Sequence, residues 1–167
     1  MAEDPSCIFC KIVKGELPSY NVYEDRSFIG ILDIYPNIKG QTLVIPKRHV
    51  PSYVFDLSNI ELAELMATTK KVAKLLERKL NVGRVHIVFE GTSVNHLHAK
   101  LYPAIGTSKL FRQAIAKENI YFTSYPGFVT TMMGPRADDK ELEAVRRKIS
   151  GKKNWIGSDR GVLKPRR

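Results

Sequence analysis

An α+β fold is predicted for this 167-residue chain, built from about five strands and one main packed helix. Three observations predict it. β-rich segments bounded by turn residues recur through the first fifty residues. One long stretch from Ser58 repeats its apolar residues at helical spacing. Two further β-rich segments then follow before residue 103.

The elements read in order. Asn21 to Glu24 and Ser27 to Leu32 are strands around an Asp25-Arg26 turn. Gln41 to Ile45 is the third, stopped by Pro46. Between them Asp33 to Gly40 is a loop, punctuated by Pro36, Asn37 and Gly40. Ser58 and Glu61 have capping-box spacing and start the helix. Leu62, Leu65, Met66, Thr69, Val72, Leu76 and Leu80 mark its core face, and Gly83 is the expected stop. Val85 to Phe89 and Val94 to Leu101 are the last two strands, with Gly91, Thr92 and Ser93 in the turn between them. A second helix is expected over Ser108 to Asn119 and a third over Asp138 to Ile149. The chain therefore divides into a body of residues 1–106, a helical extension of 107–149 and a basic tail of 150–167.

No apolar run approaches the roughly 20 residues of a membrane span, and the polar, acidic start is unlike a secretion signal, so the cytoplasm is the expected location. The net charge of +10 is concentrated at the end: Arg146 to Arg167 holds nine Lys or Arg and one Asp, leaving the preceding 145 residues nearly balanced. Such a tail is either a solvated terminus or a route to nucleic acid. Cys7 and Cys10 are the two cysteines, in a C-x-x-C. That spacing serves a redox pair or half a metal site, and the absence of a preceding strand favours metal.

The segment Asn95-His96-Leu97-His98-Ala99-Lys100-Leu101 carries the chemistry. Read as a strand, it puts His96, His98 and Lys100 on one face and Leu97, Ala99 and Leu101 in the core. His86, within the preceding strand, reads as structural. Together with Cys-Ile-Phe-Cys-Lys-Ile (7–12), Val-Tyr-Glu-Asp (22–25), Leu-Asp-Ile-Tyr-Pro (32–36) and Leu-Val-Ile-Pro-Lys-Arg-His-Val (43–50), it resembles the histidine-triad (HIT) family of nucleotide hydrolases and transferases, from about Cys7 to Pro103.

The resemblance implies a HIT-like fold with an antiparallel sheet, and a homodimer formed through the helix and a sheet edge. It implies that His98, at the middle position of His-x-His-x-His, is the nucleophile toward the α-phosphorus of a nucleotide or dinucleotide. Lys100 replaces the third histidine, and Gln41 stands where the family often has histidine at the end of the loop. Lys100 keeps a cation for phosphate oxygens but not a neutral acceptor. Cys7, Cys10, His49 and His96 would form a Cys2His2 set for structural zinc. Asp33 matches the acid that accepts from ribose hydroxyls. Ile8, Phe9, Phe28 and Ile34 match base-pocket positions, and Gly91, Thr92, Ser93 and Asn95 match positions near phosphate. Phe89 stands where an Asn-Glu-Gly element would supply an amide. Arg112 and Arg136 are further cations with no assigned role, and Trp155 is either a stacking residue or an anchor for the tail. Three function classes follow: a nucleotidyl hydrolase or transferase, a catalytically weakened nucleotide-binding regulatory protein, and a nucleic-acid-associated member recruited by the tail.

Overall fold

Five strands form one sheet: β1 (Asn21–Glu24), β2 (Phe28–Leu32), β3 (Thr42–Pro46), β4 (Val85–Val88) and β5 (Ala99–Pro103). A computed structural model describes residues 4–107, 109–110 and 136–151. The strand order is β1-β2-β3-β5-β4, and every neighbouring pair is antiparallel. Three helices accompany the sheet: α1 (Ile8–Val13), α2 (Asn59–Leu80) and α3 (Asp139–Ser150). The α+β architecture expected from the sequence is present.

Strands β2 and β3 are buried along their whole length, as befits central strands covered on both faces. Alternation sorts their side chains into two cores. Phe28, Leu32 and Val44 join Leu65, Val72 and Leu76 of α2 and Leu142, Val145 and Ile149 of α3. Ile29, Ile31, Leu43 and Ile45 join Cys7, Phe9 and Cys10 around α1.

Helix α2 begins as its sequence dictates. The Ser58 hydroxyl accepts from the Glu61 amide, and the Glu61 carboxylate accepts in return from the Ser58 amide. Two expectations for α2 are corrected. Its C-terminal stop is Asn81, in the left-handed region at φ 54°, not Gly83; asparagine tolerates this conformation better than most residues. Met66, assigned to the core face, is exposed, because Leu65 and Thr69 already fill the stripe that meets the sheet.

The strand predicted over Val94 to Leu101 is also corrected: β5 starts only at Ala99. The His96 amide bonds the Val94 carbonyl, and the Leu97 amide bonds the Val50 carbonyl. These bonds divert the backbone from the ladder that pairs Ala99 with Val44. His96 and His98 are therefore buried in irregular backbone leading into β5, not displayed on a strand surface. Helix α3 matches the expected third helix, with Asp138 as its N-cap and Gly151, in the left-handed region, as its C-cap. Of the helix expected over Ser108 to Asn119 only residues 109–110 are described, as a bend; Arg112, Trp155 and most of the basic tail lie outside the described residues.

Candidate active site and metal cluster

Helix α1 is the element that the sequence reading missed, and it organises the site. Its single turn and a half places Cys7, its N-cap, and Cys10 three residues apart on one face. Opposite them the segment before β5 supplies His96, and the segment after β3 supplies His49. The Cys7 Sγ lies 3.3 Å from His96 Nδ1, and Cys10 Sγ lies 3.3 Å from His49 Nδ1 and 3.6 Å from His96 Nδ1. All four donor atoms lie within 4.8 Å of one another. Tetrahedral coordination with bonds of about 2.0–2.3 Å gives donor separations of roughly 3.3–3.8 Å, so the closest pairs fit such a set. The His96 Nε2 is 3.0 Å from the Pro46 carbonyl. That carbonyl only accepts, so Nε2 carries the hydrogen and Nδ1 keeps its lone pair for the cluster.

His98 follows the same logic with the nitrogens exchanged. Its Nδ1 is 2.7 Å from the His96 carbonyl, so Nδ1 is the donor and Nε2 holds the lone pair. The ring is 3% exposed. Burial, reinforced by the Lys100 charge, lowers its pKa below the ordinary 6.5. Phe9 packs edge-on against both rings, at 5.2 Å from His98 and 5.8 Å from His96. An imidazole tethered through Nδ1 keeps its Nε2 lone pair free for nucleophilic attack.

Next along β5, Lys100 donates to Glu90 Oε2 at 2.8 Å. The register explains the pairing. Val88 of β4 sits opposite Lys100, and Glu90 follows two residues later, just beyond the end of the strand. Burial alone would lower the Lys100 pKa, but the hydrogen bond and charge of Glu90 outweigh it, and the net shift is upward. Burial likewise disfavours charge on Glu90, and Lys100 reverses that, so its carboxyl titrates below the usual range. Glu90 was not among the residues singled out from the sequence. The available signal was an acid on the hairpin arm facing the one cation of the motif.

The expected substrate residues occupy different environments. The loop from 33 to 41 is closed by Gln41, whose amide nitrogen donates to Asp33 Oδ2 at 2.7 Å and whose oxygen accepts from the Asn37 amide. Gln41 is buried and spends both ends on the loop; Asp33 Oδ1 accepts from the Tyr35 amide. Ile8 is exposed on α1, whereas Phe28 and Ile34 pack with the α2 core. Ser93 is exposed, and exposed Asn95 uses its side-chain oxygen to accept from the Ser52 amide. Gly91, at φ +67°, packs so closely on Ser52 that a Cβ there would lie 2.9 Å from the Ser52 carbonyl oxygen. His86 is exposed on the edge strand β4 and is apart from the cluster of His96, His98 and His49. A cleft of about 330 Å³ separates the 33–41 loop from α3, with Asp33, Lys39, Arg136 and Glu141 on its walls.

The HIT domain family matches residues 14–103, more than half of the chain. The chain belongs to the HIT family. An adenosine 5'-monophosphoramidase of Schizosaccharomyces pombe is 38% identical over 103 residues, covering 59% of this chain and 74% of the relative. The crystal structure of a hypothetical histidine triad nucleotide-binding protein from Sulfolobus tokodaii is similar with a TM-score of 0.66 and 29% identity, over 87% of this chain and 90% of that one. A zinc-bound histidine triad family protein from Mycobacterium smegmatis is similar with a TM-score of 0.60 and 26% identity, over 87% and 94% of the two chains. No described helix is long and apolar enough to cross a membrane.

Proposed function

We propose that this HIT protein is a nucleotide phosphate hydrolase or nucleotidyl transferase that works through a covalent nucleotidyl-histidine on His98. One observation carries the reading: the His98 ring is buried and tethered through Nδ1, so its Nε2 lone pair is the reactive position. Attack by Nε2 on the α-phosphorus forms a P–N bond as the bond to the leaving group breaks. Water or another acceptor then attacks the same phosphorus and returns the electron pair to Nε2. Lys100 offsets negative charge on the phosphate oxygens. Asp33 accepts from the ribose hydroxyls, and Gln41 acts through it by fixing the loop. Ile8, Phe9 and Ile34 contribute apolar contacts to the base, and Ser93 and Asn95 border the phosphates.

Cys7, Cys10, His49 and His96 hold a structural zinc in this reading. Two thiols and two imidazole nitrogens suit that metal, and with no open position it supplies rigidity beside His98 rather than chemistry on substrate. Residues 1–106 form the nucleotide-binding unit, which α3 of the 107–149 extension buttresses. Exposed Ile60 and Met66 on α2 and Ile87 on the edge strand β4 support a homodimer built through the helix and sheet edge. The cytoplasm is the proposed location.

The test is intact-protein mass spectrometry after brief incubation with dinucleotide and nucleoside phosphoramidate substrates. Wild type is expected to show a nucleotidyl adduct or turnover that His98→Ala lacks, a loss of at least about a thousandfold. Turnover that survives in His98→Ala would refute the covalent mechanism.

A further inference from the structure

The pairing of Lys100 with Glu90 bears on which bond the site can break. Lys100 occupies the third position of the motif, and its neighbourhood is fixed from several directions. Its Nζ donates to Glu90 Oε2, with the two side chains only 17% and 11% exposed. The other carboxylate oxygen, Oε1, accepts from Thr92 Oγ1 at 3.2 Å. Gly91, between Glu90 and Thr92, is seated against Ser52. The charge of Asp33 adds to that of Glu90 in holding the proton on Lys100.

Resting on the nucleotidyl-transfer reading above, we propose that the Glu90–Lys100 pair selects the leaving group, favouring nucleotides that release an oxygen anion, a phosphate or a carboxylate, over those that release an amine. The two departures differ by one proton. When the leaving group is bound through oxygen, Nε2 of His98 attacks phosphorus and the P–O electron pair leaves on an oxygen whose negative charge is stable in water. No proton is needed, and a fixed cation at Lys100 assists by charge alone. One of the three ammonium hydrogens is committed to Glu90, which leaves two to donate to the departing oxygen. When the leaving group is an amine, the P–N bond breaks only as its nitrogen gains a proton. A histidine at this position, with an ordinary pKa near 6.5, supplies that proton at neutral pH. Lys100 holds its proton between its own amine and a carboxylate, and its release would leave Glu90 charged and unpaired in a half-buried site. In the second step water attacks phosphorus, the P–N bond to His98 breaks with its electrons returning to Nε2, and the water proton leaves with solvent. That step is common to both substrate types and does not discriminate.

The experiment compares kcat/KM for two substrates with the same AMP moiety, diadenosine tetraphosphate and adenosine 5'-phosphoramidate, in wild type, Lys100→His and Glu90→Gln. The ratio of the two values is the readout, and a fall in the folded fraction of a variant cancels from it. Wild type is expected to favour the anhydride by about a hundredfold or more. Lys100→His is expected to move the ratio toward the phosphoramidate by about a hundredfold, the usual scale of one positioned general acid. Glu90→Gln is expected to shift it the same way by a smaller factor. Wild type that cleaves the phosphoramidate as well as the anhydride, or an unmoved ratio in Lys100→His, overturns the proposal while leaving His98 chemistry standing. No turnover of either substrate by wild type overturns the proposed function, and the selection with it.

Discussion

On the α2 side of the sheet, Val44, Val72, Leu76, Leu101 and Ile149 close a mainly apolar core, with Thr68 and Thr69 of α2 and the Glu143-paired Arg146 of α3 as buried polar groups. On the α1 side the same strands back two imidazoles, two thiols and, beside them, a lysine–glutamate pair. The first side is held by apolar burial, which is non-directional and tolerates exchange of similar side chains. The second is held by donors and acceptors that must each find a partner at a set distance. The two sides are predicted to fail differently: loss of volume on the first costs stability alone, whereas loss of one partner on the second unfastens the site.

The largest effect is expected at the four-donor cluster. Cys10→Ser, or removal of metal with a strong chelator, is expected to cost more than about 4 kcal/mol of stability and to abolish His98 adduct formation together. Thermal melts with and without chelator, with zinc content measured on the same samples, check this. Unchanged melting after complete chelation would mean that the α1 side is held without metal. The next effect belongs to the other side. Leu76→Ala is expected to cost roughly 2–5 kcal/mol, since Leu76 is fully buried between α2 and the sheet. The protein that remains folded should form the His98 adduct at the wild-type rate. Slowed chemistry in the folded fraction would show that the two sides are coupled through the strands.

The sequence reveals the α2 side more fully than the α1 side, and the reason is physical. Strand alternation and a 22-residue amphipathic helix repeat a signal many times, so a single misplaced Met66 or a stop at Asn81 leaves the assignment intact. Helix α1 has six residues, too few for a periodic signal, and its sequence looked like a metal motif and nothing more. The motif Asn95 to Lys100 alternates like a strand, but hydrogen bonds that it donates to distant carbonyls, those of Val50 and Pro46 among them, set its conformation and burial. The ligand set Cys7, Cys10, His49 and His96 came from counting donors and a family resemblance; its geometry, and the role of Gln41 as a brace for Asp33, depend on contacts between residues 8 to 89 apart in sequence. Glu90 was overlooked because only the β4–β5 register brings it to Lys100.

The smallest effect concerns the charge pair, and it tests whether the α1 side is governed by fixed or by titrating charges. Glu90 has its pKa lowered from 4.5, so its contribution to stability is complete above about pH 4.5 and is lost as pH falls through the lower folded value. Lys100 has its pKa raised from 10.5, so its contribution is complete below about pH 10.5 and is lost as pH rises through the higher folded value. Between roughly pH 5 and 10 the pair therefore contributes a constant amount. The amount itself is expected to stay under about 1 kcal/mol, because the attraction is largely offset by removing both charges from water. Denaturant unfolding of wild type and the double variant Glu90→Gln/Lys100→Met across this range measures the difference directly. A flat difference fits a cation whose charge does not change where the protein works. A step below about pH 6.5 would instead assign the pH response to the neighbouring His98 ring, whose pKa is lowered from that value, and the charge pair would then act by setting the titration of His98.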